Sequence, residues 1–150
     1  MIKKMEKNFI RVRSIKDITI SSSLLLIGII LSIVFDSNGA VYGGIALIIL
    51  GLILAFVLKS GYKDTESGEF YKKRDFSFSK KMKASLLSAL ASSPENINPS
   101  EEGEGIRLEI FYSKASGKAF LQLFEYVPFQ YHPCSEVHEY EIDRIKNLVQ

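Results

Sequence analysis

The sequence predicts a membrane protein: a two-helix transmembrane hairpin followed by a small α+β cytoplasmic domain, approximately βαββα. Three features carry that expectation. Two uncharged apolar runs lie either side of four turn-forming residues, basic flanks lie on both outer sides of the pair, and alternating strand-like patterns are confined to the second half of the chain. The 47% hydrophobic content of the 150 residues is therefore concentrated rather than spread. The chain divides into a basic N-terminal segment (1–17), the hairpin (18–58), a basic juxtamembrane segment (59–83) and the α+β domain (84–150).

Residues 18–35, ITISSSLLLIGIILSIVF, and 40–58, AVYGGIALIILGLILAFVL, carry no charge. As helices each would rise roughly 27–28 Å at about 1.5 Å per residue, nearly the thickness of a hydrocarbon core. The residues outside these runs are too few to wrap two helices that are apolar all round. Ser37 and Gly39 would suit signal-peptide cleavage, but hydrophobicity returns at once at Ala40. Asp36, Ser37, Asn38 and Gly39 instead reverse the chain as the hairpin loop 36–39.

Charge sets the expected orientation. Lys3, Lys4, Lys7, Arg11, Arg13 and Lys16 precede the first run against Glu6 and Asp17, and Lys59, Lys63, Lys72, Lys73 and Arg74 follow the second. The positive-inside bias then puts both termini in the cytoplasm of a multi-pass protein of the cell inner (plasma) membrane. Cys134, the single cysteine, fits a reduced thiol on that side.

Small residues form a stripe on each helix: Ser21, Gly28 and Ser32 on the first, Ala40, Gly44, Gly51 and Ala55 on the second. An antiparallel pairing centred on the loop places Ser32 by Gly44, Gly28 by Ile48, Gly51 by Leu25 and Ser21 by Ala55. Homo-oligomerisation is the alternative use of such stripes. Neither run holds an ionisable residue, which argues for an anchor over a proton-coupled transporter. A small oligomeric channel lined by Ser21, Ser22, Ser23 and Ser32 stays open as a further reading.

Residues 59–83 hold eight basic side chains against four acidic ones, and residues 84–150 hold five against ten. Within this basic collar, Lys72, Lys73, Arg74, Lys80, Lys81 and Lys83 are the candidate contacts for lipid headgroups, each contributing about 1 kcal/mol near an anionic surface. The acidic half that follows disfavours nucleic acid as the ligand. The expected partners are thus the lipid bilayer and a protein.

Alternation over 70–78 predicts an edge strand, and Ser79 predicts the cap of a helix running to about Ala91 with Met82, Leu86, Leu87 and Leu90 on one face. Residues 92–105, SSPENINPSEEGEG, predict a mobile loop. GIRLEIFYS and KAFLQLFEYV predict a β-hairpin turning at 114–117, with Ile106, Leu108, Ile110 and Tyr112 opposite Glu125, Leu123, Leu121 and Ala119 on the core face. The reverse face carries Phe111, Phe120, Phe124 and nearby Tyr126, the candidate partner-binding residues if no other element of the domain covers them. Residues 136–149 predict a closing amphipathic helix capped by Ser135.

The stretch HPCSEVH gathers the only cysteine and both histidines. Imidazole and thiolate suit zinc or copper, so His132, Cys134 and His138 are the candidate metal ligands, with Glu136 or Glu139 as a fourth. Pro133 and the expected helix start make their convergence optional, and a Cys/His nucleophile would need an oxyanion site and an orienting group that the sequence does not display. No phosphate-binding glycine loop or zinc-protease helix occurs, and no cofactor is implied. The expectation is a non-enzymatic accessory or regulatory membrane protein, with a metal or redox sensor and a small oligomeric channel as alternatives.

Overall fold

The computed structural model describes residues 2–150. A 3-10 turn (Met5–Asn8) leads into strand β1 (Phe9–Val12), then come helix α1 (Ile15–Val34), helix α2 (Asn38–Val57), β2 (Gly61–Asp64) and β3 (Phe70–Ser79). After a 3-10 turn (Lys80–Met82), α3 (Lys83–Ser92) is followed by a further 3-10 turn (Pro94–Asn96), β4 (Gly105–Ser113), β5 (Lys118–Val127), β6 (Gln130–Pro133) and β7 (His138–Glu141). The chain closes with a 3-10 turn (Ile142–Ile145) and a single helical turn, α4 (Lys146–Val149). Strand order is β1-β2-β3-β4-β5-β6, and β7 also pairs with β5. Contacts divide the chain into a helical unit, Arg11–Tyr62, and a sheet unit made of 2–10 with Lys63–Gln150.

In the helical unit, Ser14 caps α1 through a reciprocal bond pair with Asp17 at the third helical position, and Ser37 caps α2. The two helices pack along their small residues, as the stripes predict. A methyl in place of the Gly28 hydrogen would lie 2.7 Å from the Gly44 carbonyl oxygen and 2.9 Å from the Ile48 amide nitrogen. One on Gly44 would strike the Ser32 hydroxyl and lie 2.6 Å from the Gly28 carbonyl oxygen, and one on Gly51 would meet Leu25 at 3.0 Å. Backbone-to-backbone approach this close is open only to glycine. At the outer end, the buried Asp17 carboxylate accepts from the Ser14 amide (2.9 Å), the Ser60 amide (2.8 Å) and the Ser60 hydroxyl (2.8 Å), tying the start of α1 to the chain beyond α2.

In the sheet unit, the long antiparallel strands β3, β4 and β5 have the predicted central register: Ile106 opposite Glu125, Leu108 opposite Leu123, Ile110 opposite Leu121 and Tyr112 opposite Ala119. That face packs on Phe78, Leu86 and Leu90, on Ile97, and on Ile145, Leu148 and Val149, which together form the core. The Ser79 hydroxyl accepts from the Lys81 amide at the entry to α3, close to the expected cap.

Four expectations are corrected. Strand β3 is internal, between β2 and β4, rather than an edge. The closing helix 136–149 is replaced by β7, a 3-10 turn and one helical turn. In HEYE the alternation has period two, and the β5 backbone beyond the reach of β6 needs hydrogen-bond partners, which β7 supplies opposite 118–121. Ser135 therefore caps no helix: its hydroxyl accepts from the Leu123 amide at 2.9 Å and donates to the Glu136 carbonyl. Residues 92–105 are pinned rather than mobile, because Ile97 is buried and the Lys80 and Gly103 amides bond to Glu104 and Ser77 carbonyls. The sheet domain is therefore richer in strand than βαββα.

Candidate functional site

The reverse face of the sheet is where the sequence places its aromatic candidates, and the chain covers most of it with its own N-terminal segment. Phe9 stacks on Phe111 with ring centroids 4.3 Å apart and meets Tyr71 edge-on at 5.2 Å. Lys4 sits over the Phe124 ring at 5.7 Å. The cover is locked by Gln122, whose side-chain carbonyl accepts from the Met5 amide (2.8 Å) while its amide group donates to the Lys3 carbonyl (2.8 Å) and the Ser135 carbonyl (3.0 Å). A buried amide satisfied on three sides in this way fixes one position for the segment. Phe111 and Phe124 are consequently buried, Phe120 is half-buried, and only Tyr126 is exposed, at 42%. The four side chains do not form one open surface.

On the same face Glu109 is fully buried between two cations, 2.7 Å from the Arg107 guanidinium and 3.1 Å from the Lys73 ammonium. The geometry explains both cations. Lys73 lies opposite Phe111 and Arg107 opposite Phe124, so strand alternation directs both to the face where Glu109 stands. Arg107 also stacks on Tyr131 at 4.1 Å. The cluster is an internal ion-pair network; sequence reasoning missed it because its members come from two strands separated by the α3 region.

The basic collar is divided by the same alternation. Lys72 and Arg74 lie on the core side opposite Tyr112 and Ile110, while Lys73 points the other way. The Arg74 guanidinium donates to the Leu148 carbonyl (3.2 Å) and the Gln150 carbonyl (2.7 Å), fixing the C-terminal turn. Lys83 pairs with Glu125 at 2.6 Å, which holds the ammonium above and the carboxylate below their ordinary ranges. Lys72, Lys80 and Lys81 are exposed.

His132, Cys134 and His138 form a row instead of a cluster. His132 lies opposite Glu125, the Cys134 amide donates to the Leu123 carbonyl at 2.8 Å, and His138 lies opposite Leu121. The two histidines are thus four register positions apart on β5, about 13 Å at about 3.4 Å per residue. Zinc–nitrogen bonds of about 2 Å cannot bridge that span. Among the described residues no group of His, Cys, Asp or Glu has the arrangement of a metal site. Cys134 packs against the core, and burial raises its thiol above the ordinary range.

A feature absent from the sequence reading stands at the β5–β6 turn. Val127 pairs with Gln130, leaving Pro128 and Phe129 as the two turn residues. Phe129 has φ of 75° and is 95% exposed. Proline followed by a positive φ is the arrangement of a type II turn, whose second position normally belongs to glycine. Beside the N-terminal cover, a cavity of about 480 Å³ is lined by Met5, Asn8, Phe9, Asp64, Phe120 and Val137. Its Asp64 carboxylate is committed to its own turn: burial pushes its pKa up, but bonds from the Ser67 hydroxyl and neighbouring amides outweigh this and bring it below the usual range.

No family model matches the chain, and neither a curated protein nor a solved structure resembles it.

Proposed function

We propose that this is an integral membrane protein whose two helices cross the inner (plasma) membrane as a hairpin, holding the sheet domain in the cytoplasm as a non-enzymatic accessory module for another protein. The surface of the helices carries the reading. Only 17% of the α1 span and 11% of the α2 span is buried, whereas the core helices of a soluble protein are mostly buried. Exposed side chains such as Leu26, Ile30, Ile49 and Ile53 would be strongly unfavourable in water and suit a hydrocarbon solvent.

Residues 2–10 and Lys63–Gln150 belong to one compact unit. A hairpin spanning a bilayer between them requires both flanks to lie on the same side, and the basic residues around α1 and α2 favour the cytoplasm. The accessory role is supported by the use of the domain's charged groups. Lys73, Arg107 and Glu109 pair with one another, as do Lys83 with Glu125 and Arg144 with Glu95, so chemistry-bearing side chains are engaged in holding the fold.

Single cysteines at Asn38→Cys and Ala115→Cys, each in a Cys134→Ser background, test the topology. Impermeant maleimide should label position 38 in intact cells and position 115 only after permeabilisation; the reverse, or release of the protein by alkaline carbonate, would overturn the anchor. Photo-crosslinkers placed at Ala84, Lys114 and Tyr126, all exposed, test the accessory role. One discrete protein adduct from at least one position is expected, and none from any of them would refute it.

A further inference from the structure

We infer that the outer edge of β7 is a docking edge for an extended basic segment of another protein, which joins the sheet as an antiparallel strand of alternating basic and apolar residues. The inference deepens the accessory role above and rests on it. Strand β7 pairs with β5 alone, so its other side ends the sheet. Which of its groups face outward follows from the register. The Ile142 amide donates to the Gly117 carbonyl at 2.8 Å, one step beyond the pair of Glu141 with Lys118. Bonded pairs alternate along an antiparallel ladder, so His138 and Tyr140 use their backbone groups on β5, and the N–H and C=O groups of Glu139 and Glu141 point away from it. In β6, the bond from the Cys134 amide to the Leu123 carbonyl turns Tyr131 and Pro133 outward in the same way. Proline has no N–H, so that half of the edge is blunted while the β7 half keeps both outward donors.

Charge selects the occupant. Glu139 and Glu141 are both exposed, and they stand on one face of the strand, opposite Phe120 and Lys118. Lys118 pairs with Glu139 at 2.8 Å, while Glu141 has no ion pair among the described residues. Two copies joined edge to edge through β7 would set these carboxylates against one another, and like charges directly opposite are unfavourable. A strand with lysine or arginine at alternate positions does the reverse. Added antiparallel, each basic residue exchanges two backbone bonds with Glu139 or Glu141 and carries its charge to the same face, with β-carbons about 5 Å apart. The residue between them turns to the other face, beside the His138 and Tyr140 rings, which stack with centroids 6.3 Å apart, and an apolar side chain suits that position. Main-chain bonds then supply affinity, and the alternating side chains supply selectivity.

The probe is a fluorescein-labelled pentapeptide alternating lysine and valine, titrated with the full-length protein in neutral detergent and read by anisotropy. Glu141 has φ of −72°, close to the value proline imposes, so Glu141→Pro removes one outward N–H and leaves the bonds to β5 in place. Glu141→Gln removes the charge and keeps the N–H. Saturable binding is expected, weakened about ten-fold by Glu141→Pro and only about three-fold by Glu141→Gln. N-methylation of the peptide's lysine amides should abolish binding, whereas N-methylation of its valine amides, which face away from β7, should leave binding intact; this comparison needs no change to the protein. Equal binding of the two methylated peptides, or by the two variants, assigns the contact to charge alone and overturns the docking edge. Absence of binding by the unmodified peptide overturns it too, and a discrete adduct from the crosslinkers then leaves the accessory reading standing. No adduct from any crosslinker removes the accessory reading and this inference with it.

Discussion

Replacing Phe129 by glycine should stabilise the sheet domain, against the usual outcome of deleting an aromatic ring. A residue with a β-carbon in the left-handed region costs about 1–2 kcal/mol, and glycine removes that cost. Glycine also loses more freedom on folding, which returns about 0.5–1 kcal/mol of the gain. The ring is 95% exposed, so no burial term is lost. The net expectation is a gain of about 0.5–1 kcal/mol, or a midpoint rise of about 2–8 °C for a domain of this size. Gly117 provides the converse test: it has φ of +71° and a β-carbon there would meet nothing within 4 Å, so Gly117→Ala isolates the same conformational cost with the opposite sign. Urea unfolding of the full chain in detergent, followed by exchange protection of the β4 and β5 amides, measures both. A neutral or destabilised Phe129→Gly, with Gly117→Ala destabilised by about 1 kcal/mol, would refute the claim that the turn is strained for no internal contact.

Other substitutions report on separate features. Lys73→Met should destabilise by about 3–5 kcal/mol, because Glu109 stays buried with one cation removed, while the double change Lys73→Met with Glu109→Leu should recover much of that loss in the same urea assay. Leu108→Ala should cost about 2–5 kcal/mol at a fully buried position. Gly44→Leu should drive α1 and α2 apart, lowering energy transfer between labels at Lys16 and Lys59; unchanged transfer would contradict the close backbone contact with Gly28. Because burial raises the Cys134 thiol, the folded protein keeps its proton where the unfolded chain has lost it. Stability from this group is therefore full below the unfolded thiol pKa and falls as pH rises through the folded one, and iodoacetamide labelling near pH 8 should be slower in the native state than in urea.

How much of this architecture was legible depends on sequence distance. The β4–β5 register follows from two alternating runs around a short turn, and the facing of Gly28 with Ile48 and Gly44 with Ser32 follows from a loop of few residues; both are local problems with one dominant solution. The N-terminal cover was illegible because Phe9 and Met5 reach partners such as Phe111 and Gln122 that lie beyond the entire helical pair in sequence. The collar misled for a different reason. Lys72, Lys73 and Arg74 are adjacent in sequence, but a strand sends them to opposite faces, so a run of charge is no patch. The HEYE alternation did signal a strand, and acidic residues favourable to a helix start concealed it. His132, Cys134 and His138 are metal-ligating types close in sequence, but two short strands sharing one neighbour hold the histidines apart.

The cover built from residues 2–10 has a consequence for synthesis. Residues 2–10 are made long before their partners, since the Gln122 side chain that holds Met5 and Lys3 follows both helices and most of the sheet. Contacts of such long sequence separation form slowly, so nascent chains pass through a stage in which Phe111 and Phe124 stand open on a nearly finished sheet. A fragment starting at Lys63 would remain in that stage permanently. Seating of residues 2–10 and closure of the aromatic face over Phe111 and Gln122 are thus a single late event.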